Sequence, residues 1–367
     1  MYKIKEFFKK ETVLCCSGIL AIISMFFVLP DKEYIGYMDF KVLALLFCLM
    51  GVVAGIKKSG FFDRVSSDLI SKSSDIKNVS IILLMLCFFS SMLITNDVAL
   101  ITFVPLAVAV LGNENKDRTI FVIVMQTISA NLGSMITPVG NPQNLYLYSY
   151  YNIGILEFFK IVLPIGILSF VLILLTMIFM KGEKIEKTEK AKIELDIKSL
   201  LVYSILFIVC ILTVFNVLDY KIMLVLVTIG FIVYDRSIIR EIDITLLATF
   251  VFFFIFVGNM ERLEVIKNGI NNIINGREMI SSVVLSQVIS NVPSALMLSG
   301  FTDNYKALLQ GTNIGGLGTL VASLASLISF KIYAKVCGSD RLLYLKKFTV
   351  YNLAFLVILI IFTYMFL

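Results

Sequence analysis

The residues in this chain best suited to chemistry form the run Thr137-Pro-Val-Gly-Asn-Pro-Gln-Asn144, set inside an otherwise apolar stretch. Pro138 and Pro142 withhold backbone donors and Gly140 allows unusual dihedrals, so a helix entering this run must unwind. Unwinding supplies two tools. Freed carbonyls, with the oxygens of Thr137, Asn141 and Asn144, can coordinate a cation, while the start of the next half-helix presents N–H groups to an anion. Asn131, Gly133 and Ser134 lie just upstream and extend the same polar patch.

A second run carries Thr312, Asn313, Gly315, Gly316 and Thr319. Taken alone it supports two readings, a ligand site or a kinked packing helix whose glycines allow close approach. Two polar tips also interrupt apolar segments, Ile94-Thr95-Asn96 and Ile289-Ser290-Asn291. Asp97 follows the first tip and is essentially the only carboxylate well inside an apolar stretch, where a charge is costly and usually functional. It can cap the helix that follows, or couple a cation or proton, or do both. No Lys or Arg lies equally deep, so an anion here would rest on helix ends, hydroxyls, amides and a co-bound cation.

Several other chemistries are excluded. The chain has no histidine, which removes imidazole metal sites, the base of a serine protease and the H-E-x-x-H zinc motif. Tyr234-Asp235 has no G-x-G-D partner, so an aspartyl intramembrane protease is not supported either. The Gly315-Gly316-Leu317-Gly318 run lacks the Lys-Ser/Thr of a phosphate loop. Cys15, Cys16, Cys48, Cys87, Cys210 and Cys337 sit mostly in apolar runs without C-x-x-C spacing and read as small packing residues. The expectation is a protein that is not an enzyme, with no catalytic residue and no organic cofactor.

The elements that must hold these residues are membrane helices. Apolar residues make up 59% of the 367 and charged residues only 16%, more apolar surface than a soluble domain of this length can bury. Apolar runs of about 16 to 25 residues recur at 12–29, 40–56, 119–136, 155–180, 199–217, 221–235, 244–260, 319–336 and 346–366, the length that crosses a hydrocarbon core. Backbone groups in lipid must be paired within their own segment, so these runs predict helices. The net charge of +6 gathers at segment ends and does not form a nucleic-acid surface. With Lys3, Lys5, Lys9 and Lys10 in the cytoplasm, roughly 24 of the 32 basic residues fall on that side. The chain is thus expected to be a multi-pass protein of the cell membrane, amino terminus inside and carboxyl terminus outside. The first apolar run has no small-x-small cleavage site before Pro30 and reads as a retained helix.

The charged stretch 181–198 reads as a solvated cytoplasmic linker between halves 1–180 and 199–367. The halves resemble each other. Asp39 opens DFKVLALLFCLMGVVAG and Asp243 opens DITLLATFVFFFIFVGN, each followed by an amphipathic stretch and then a polar tip. Residues 130–145 align without gaps to 312–327, pairing Asn131 with Asn313, Gly133 with Gly315 and Thr137 with Thr319. The charge rule makes the halves antiparallel, because the second has one extra crossing before its copy. The predicted fold is all-α and polytopic, with two inverted-topology repeats. Each repeat holds a re-entrant helical hairpin (about 80–111 and 279–301) and a broken helix (about 119–150 and 307–336), an arrangement that puts a substrate site near the bilayer midplane.

The segments TNDVALITFVPLAV (95–108), ISANLGSMITPVGNPQNLYLY (128–148), ISNVPSALMLSG (289–300) and GTNIGGLGTL (311–320) resemble, in order and spacing, the ion transporter superfamily. That superfamily includes arsenite permeases, citrate and dicarboxylate permeases and a class of sodium/proton antiporters. The resemblance implies two hairpins, two broken helices, a scaffold that often dimerises, and elevator-like movement. It implies secondary transport of a small anion, a citrate-like carboxylate or an oxyanion, coupled to sodium or protons. Antiport or arsenite efflux is the alternative within the superfamily. Thr95 and Asn96, with Ser290 and Asn291, match the hairpin-tip signatures and become the expected sodium ligands. Asp97 stands where the carboxylate permeases carry Thr, and Val292-Pro293 where Thr-Ala is usual; the second broken helix lacks a Thr-Pro-Pro element.

Overall fold

The computed structural model describes residues 11–73, 75–112, 115–184, 193–336 and 340–367. The amino-terminal lysines, Cys337 and the middle of the charged linker lie outside the described residues. Within them the chain is helical, apart from one isolated bridge between Asp75 and Lys184. In the first half the helices are α1 (Thr12–Phe27), α2 (Phe40–Lys58), α3 (Phe61–Ile70), α4 (Ile76–Ile94), α5 (Asn96–Leu111), α6 (Lys116–Ser134), α7 (Pro142–Tyr150) and α8 (Ile155–Ile178). Then follow α9 (Ile197–Val214), α10 (Tyr220–Tyr234), α11 (Ile244–Glu261), α12 (Glu264–Ile274), α13 (Glu278–Ile289), α14 (Asn291–Ser299), α15 (Tyr305–Ile314), α16 (Leu324–Val336) and α17 (Arg341–Phe366).

Among the described residues six segments are long and apolar enough to cross a bilayer: Lys32–Lys58, Ile76–Ile94, Ile155–Ile178, Ile197–Val214, Ile244–Glu261 and Arg341–Phe366. Large aliphatic and aromatic side chains such as Phe26, Ile205, Val225 and Ile358 face outward from their helices. Such surface is costly in water and suits lipid. The protein is therefore polytopic. Four expected spans take another form. The runs 12–29 and 221–235 fold as α1 and α10, apolar helices of 16 and 15 residues that are shorter than a full crossing. The run 119–136 lies in α6, 19 residues long and almost wholly buried, but too rich in Thr, Ser, Gln and Asn to rank as an apolar span. The run 319–336 is helical only from Leu324, because the turn at Thr319–Ala322 occupies its start.

The order long helix, short amphipathic helix, two helices meeting at a polar residue, helix, break, helix, long helix occurs twice, as α2–α8 and as α11–α17. The pairs of halves also match at the residue level. Asp39 and Asp243 are N-caps, accepting from Val42 N at 2.9 Å and Leu246 N at 2.9 Å. Such caps satisfy donors that the first turn leaves unpaired. Asp31 and Asp235 each cap a short 3-10 helix. Lys58, at the end of α2, pairs with Asp235 of the other half at 2.7 Å, and Arg262, just past α11, pairs with Asp31 at 2.8 Å. All three pairs of positions stand 204 residues apart along the chain (31 and 235, 39 and 243, 58 and 262).

The packing is interleaved. α1 packs on α11, while α9 and α10 pack on α2. α16 packs on α5 and α6, and α7 on α14 and α15, so the second piece of each broken helix lies against the other half. The described flanks of the charged linker are docked. Glu183 O accepts from Ile76 N at 2.9 Å, Arg118 pairs with the Glu183 carboxylate, and Asp196 N donates to Ser59 O at 3.1 Å.

Candidate functional site

Both tips have the same unusual backbone. Thr95 has φ 68° and ψ 153°, and Ser290 has φ 81° and ψ 156°. A β-branched or hydroxyl side chain at positive φ costs energy, about 1–3 kcal/mol, and persists only where its surroundings impose it. The cause is the polar break each tip faces. Thr137 Oγ1 donates to Met92 O, and Thr319 Oγ1 donates to Gln287 O. Met92 and Gln287 both stand three residues before their tip, so the two breaks grip the two tip helices at one equivalent carbonyl.

The breaks begin after two closely approached glycines. A Cβ at Gly133 would collide with the Phe88 carbonyl of α4, and one at Gly315 would press on Ser286 Oγ of α13 at 2.8 Å. These contacts bring α6 against α4 and α15 against α13.

The asparagines then cross between halves. Asn141 Nδ2 donates to Asn313 Oδ1 at 3.1 Å, and Ser323 Oγ donates to Asn131 Oδ1 at 3.0 Å. Asn141 and Ser323 are equivalent positions, as are Asn131 and Asn313, each pair 182 residues apart. Each break therefore bonds the helix that precedes the other break. Asn131 Oδ1 also accepts from Asn96 Nδ2 at 2.9 Å, and Asn131 Nδ2 reaches Gly316 O at 3.4 Å. Gly316 in turn abuts Asn291, whose Nδ2 would lie 2.9 Å from a Cβ there. Asn313 Nδ2 donates to Asn144 Oδ1 at 2.6 Å, and Asn144 Nδ2 donates to the freed carbonyls of Met135 and Thr137 at 3.0 and 3.1 Å. Asn141 additionally caps α7 by accepting from Asn144 N at 2.9 Å, and Pro142 begins that helix where its missing donor does no harm.

The expected residues thus gather in large part. Asn96, Asn131, Ser134, Asn141, Asn144, Asn291, Asn313, Gly315 and Gly316 are buried around one locus, with Gly133, Pro138 and Gly140 buried in its walls. Ser134 Oγ bonds the Asn131 carbonyl at 2.9 Å, and Ser290 is buried at the second tip. Thr312 stays apart, its hydroxyl used on Leu308 O of its own helix, and Thr319 is exposed. Asp97 is not the cap of α5; that position belongs to Thr95. The Asp97 carboxylate lies in the first turn, and its Oδ1 is buried with no hydrogen-bond partner among the described residues.

Sequence reasoning missed two participants. Ser323 was legible as the residue 182 positions beyond Asn141. Gln287 was not, because its first-half counterpart is the apolar Met92. The cluster is buried; amide bonds join Asn96 to Asn131 and Asn313 to Asn141 and Asn144, while Asn291 Oδ1 accepts from Ser290 Oγ at 3.4 Å. Cavities of 610 Å³ beside Arg118, Lys347 and Phe355, and of 220 Å³ beside Phe88, Met92 and Gly166, have none of the asparagines in their walls. Among the described residues no group of three Cys, Asp or Glu is placed to hold a metal ion.

A polytopic helical bundle with paired helix breaks facing each other in its interior is the build of a membrane transporter. The chain belongs to the citrate transporter family (CitMHS), whose family model matches residues 7–310. It is 35% identical over 311 residues to an uncharacterized transporter of Methanocaldococcus jannaschii, covering 83% of this chain and 84% of that protein. It is 28% identical over 323 residues to the inner membrane protein YbiR of Escherichia coli, covering 86% of each. A shorter match, 28% over 140 residues, reaches the silicon efflux transporter LSI3 of Oryza sativa, covering 38% of this chain and 29% of that one.

Proposed function

We propose that the protein is a secondary active transporter that moves a small anion, a citrate-like carboxylate or an oxyanion, in exchange for the energy of a sodium or proton gradient. The observation that carries this reading is the reciprocal pairing of Asn141 with Asn313 and of Ser323 with Asn131. It supports two inverted repeats, 1–180 and 199–367, whose breaks meet at mid-membrane, with α4–α5 and α13–α14 as the re-entrant hairpins. The amides are neutral, so the site selects a solute by hydrogen bonds and half-helix dipoles, and a co-bound cation balances the anion's charge.

The closed cluster admits a solute only when a tip parts from its break, which is the gating half of an alternating-access cycle. The interleaved packing suits an elevator-like movement of the tip-bearing helices against α1, α2 and α9–α11, in a homodimer held through that scaffold. The charge distribution along the chain supports an amino terminus in the cytoplasm and a carboxyl terminus outside. Proteoliposomes are expected to accumulate labelled anion under an inward sodium or proton gradient. The absence of uptake for citrate, succinate, sulfate, phosphate and arsenite alike would overturn the reading.

A second reading, efflux or cation/proton antiport, is favoured by one observation, the unpartnered oxygen of Asp97 at the first tip. The rice relative, a silicon efflux transporter, points the same way. Loading everted vesicles and following the direction of flux separates the two.

A further inference from the structure

The two breaks are equivalent in backbone but not in what fills them. In the second, Gln287 reaches from α13 into the break itself. Its Nε2 donates to Gly315 O at 3.0 Å and to Leu317 O at 2.9 Å, and its Oε1 accepts from Thr319 N at 2.8 Å. Gly318, at φ 105°, leaves the space that this amide occupies; a Cβ there would collide with it. Two carbonyls released by one helix break, both turned on one point, are what a small cation would use as ligands. Here that point holds a side-chain NH2 group, the neutral donor that satisfies both oxygens.

Nothing comparable reaches from the first tip helix. Met92 stands at the position of Gln287 and offers no donor. The first break is capped instead from its own far side, by Asn144 on Met135 O and Thr137 O. The tips differ in the complementary sense. The first carries Asp97 with its buried, partnerless oxygen, and the second carries Val292 at the equivalent position.

We infer that the coupling cation is taken at the first tip alone, by Asp97 with Thr95 and Asn96, and that Gln287 is a positioning residue that permanently fills the second break in place of a cation. This rests on the reading of the chain as a cation-coupled transporter and narrows it to one cation site. It removes Ser290 and Asn291 from the expected sodium ligands and leaves them to the solute.

The test is thermal stability of the purified full chain in sodium chloride against choline chloride, each at two pH values. Wild type is expected to gain stability from sodium or from acid. Asp97→Asn should lose the whole of that gain. Gln287→Met should melt lower in every buffer yet keep a gain of wild-type size. Gln287→Glu, which loses the donor and adds a carboxylate facing the same carbonyls, should acquire a new sodium-dependent rise that persists in an Asp97→Asn background.

A gain that survives in Asp97→Asn and disappears on the further change Asn291→Ala would overturn the proposal, as would a wild type indifferent to both ions. If Gln287→Glu fails to fold, the Asp97→Asn and Asn291→Ala comparison still decides it. Failure of the transport reading is separate. It would show as absent anion uptake in liposomes whatever the melting curves do.

Discussion

The two broken helices share a pattern of contacts and differ in the side chains that fill them. Both turn at a threonine, both bond a carbonyl three residues before a tip, and both send a polar side chain to the other's asparagine. Yet the first break, with two prolines and three amide side chains, satisfies its own carbonyls through Asn144, so among the described residues its tip is bound to it by Thr137 and by Asn96 on Asn131. The second break, with glycines in place of prolines, is bound to its tip helix by the Gln287 amide and by Thr319, and Asn291 N and Ser290 Oγ both donate to Ala322 O. A tip held by fewer bonds separates from its break at lower cost. The difference teaches that a similar backbone turn can be held in two ways, by a side chain of its own break or by one from the facing tip helix.

The largest expected effect is on transport. Asp97→Asn removes the one ionisable group at the first tip, and ion-driven flux in proteoliposomes should fall to the level of empty vesicles while the protein remains monodisperse. Undiminished flux would erase the contrast between the tips. Next comes the asparagine crossing. Asn313→Ala orphans Asn144 Oδ1, which costs about 1–3 kcal/mol, and leaves Asn141 Nδ2 with Ser134 Oγ at 3.3 Å. Asn131→Ala orphans Asn96 Nδ2 and Ser323 Oγ and should cost about as much by the same rule. Thermal unfolding of the two variants side by side checks whether the crossing is symmetric.

Gly133→Ala should destabilise by about 1–3 kcal/mol, since the added carbon meets the Phe88 backbone, which cannot rotate aside. Gly315→Ala should cost less, because its contacts are looser: the Gly311 carbonyl oxygen at 2.7 Å and Ser286 Oγ and Cβ at 2.8 and 2.9 Å, against 2.1 Å to the Phe88 carbonyl oxygen at Gly133. Thr95→Gly should relieve the tip strain but add unfolded-chain entropy, for a net gain of no more than about 1 kcal/mol, and more than Ser290→Gly, because Thr is β-branched.

The smallest effect belongs to the peripheral ion pairs. Hydrogen bonds from Lys58 and Ser237 hold the Asp235 carboxyl down at about 2. A lowered carboxylate value means that the pair's contribution is full above the ordinary value near 4 and fades as pH falls toward 2. Exposed pairs are worth under about 1 kcal/mol, so Asp235→Asn should shift the melting temperature slightly, and only above that window.

Much of this was legible without coordinates. The apolar runs, the two Asn tips, the paired breaks and the duplicated order of segments all follow from period, length and spacing, because lipid forces every crossing into a helix and penalises each polar interruption. The likeness of Asn131 to Asn313 even located the crossing. Less legible were 119–136, whose polar content suits a helix buried in protein rather than facing lipid, and 319–336, whose first residues form a turn. The cap position of α5 also went to Thr95 and not to Asp97.

What the sequence by itself determined is the class of the molecule: a polytopic helical membrane protein whose apolar segments are interrupted by polar breaks. The tertiary structure alone decided who meets whom. Hydrogen bonds between residues 172 and 192 positions apart join Asn141 to Asn313 and Ser323 to Asn131, and Gln287 finds carbonyls that its own helix does not own. Periodicity reports the solvent each face sees, but the partner of a buried amide is set by the packing of distant helices, which leaves no local trace in the chain.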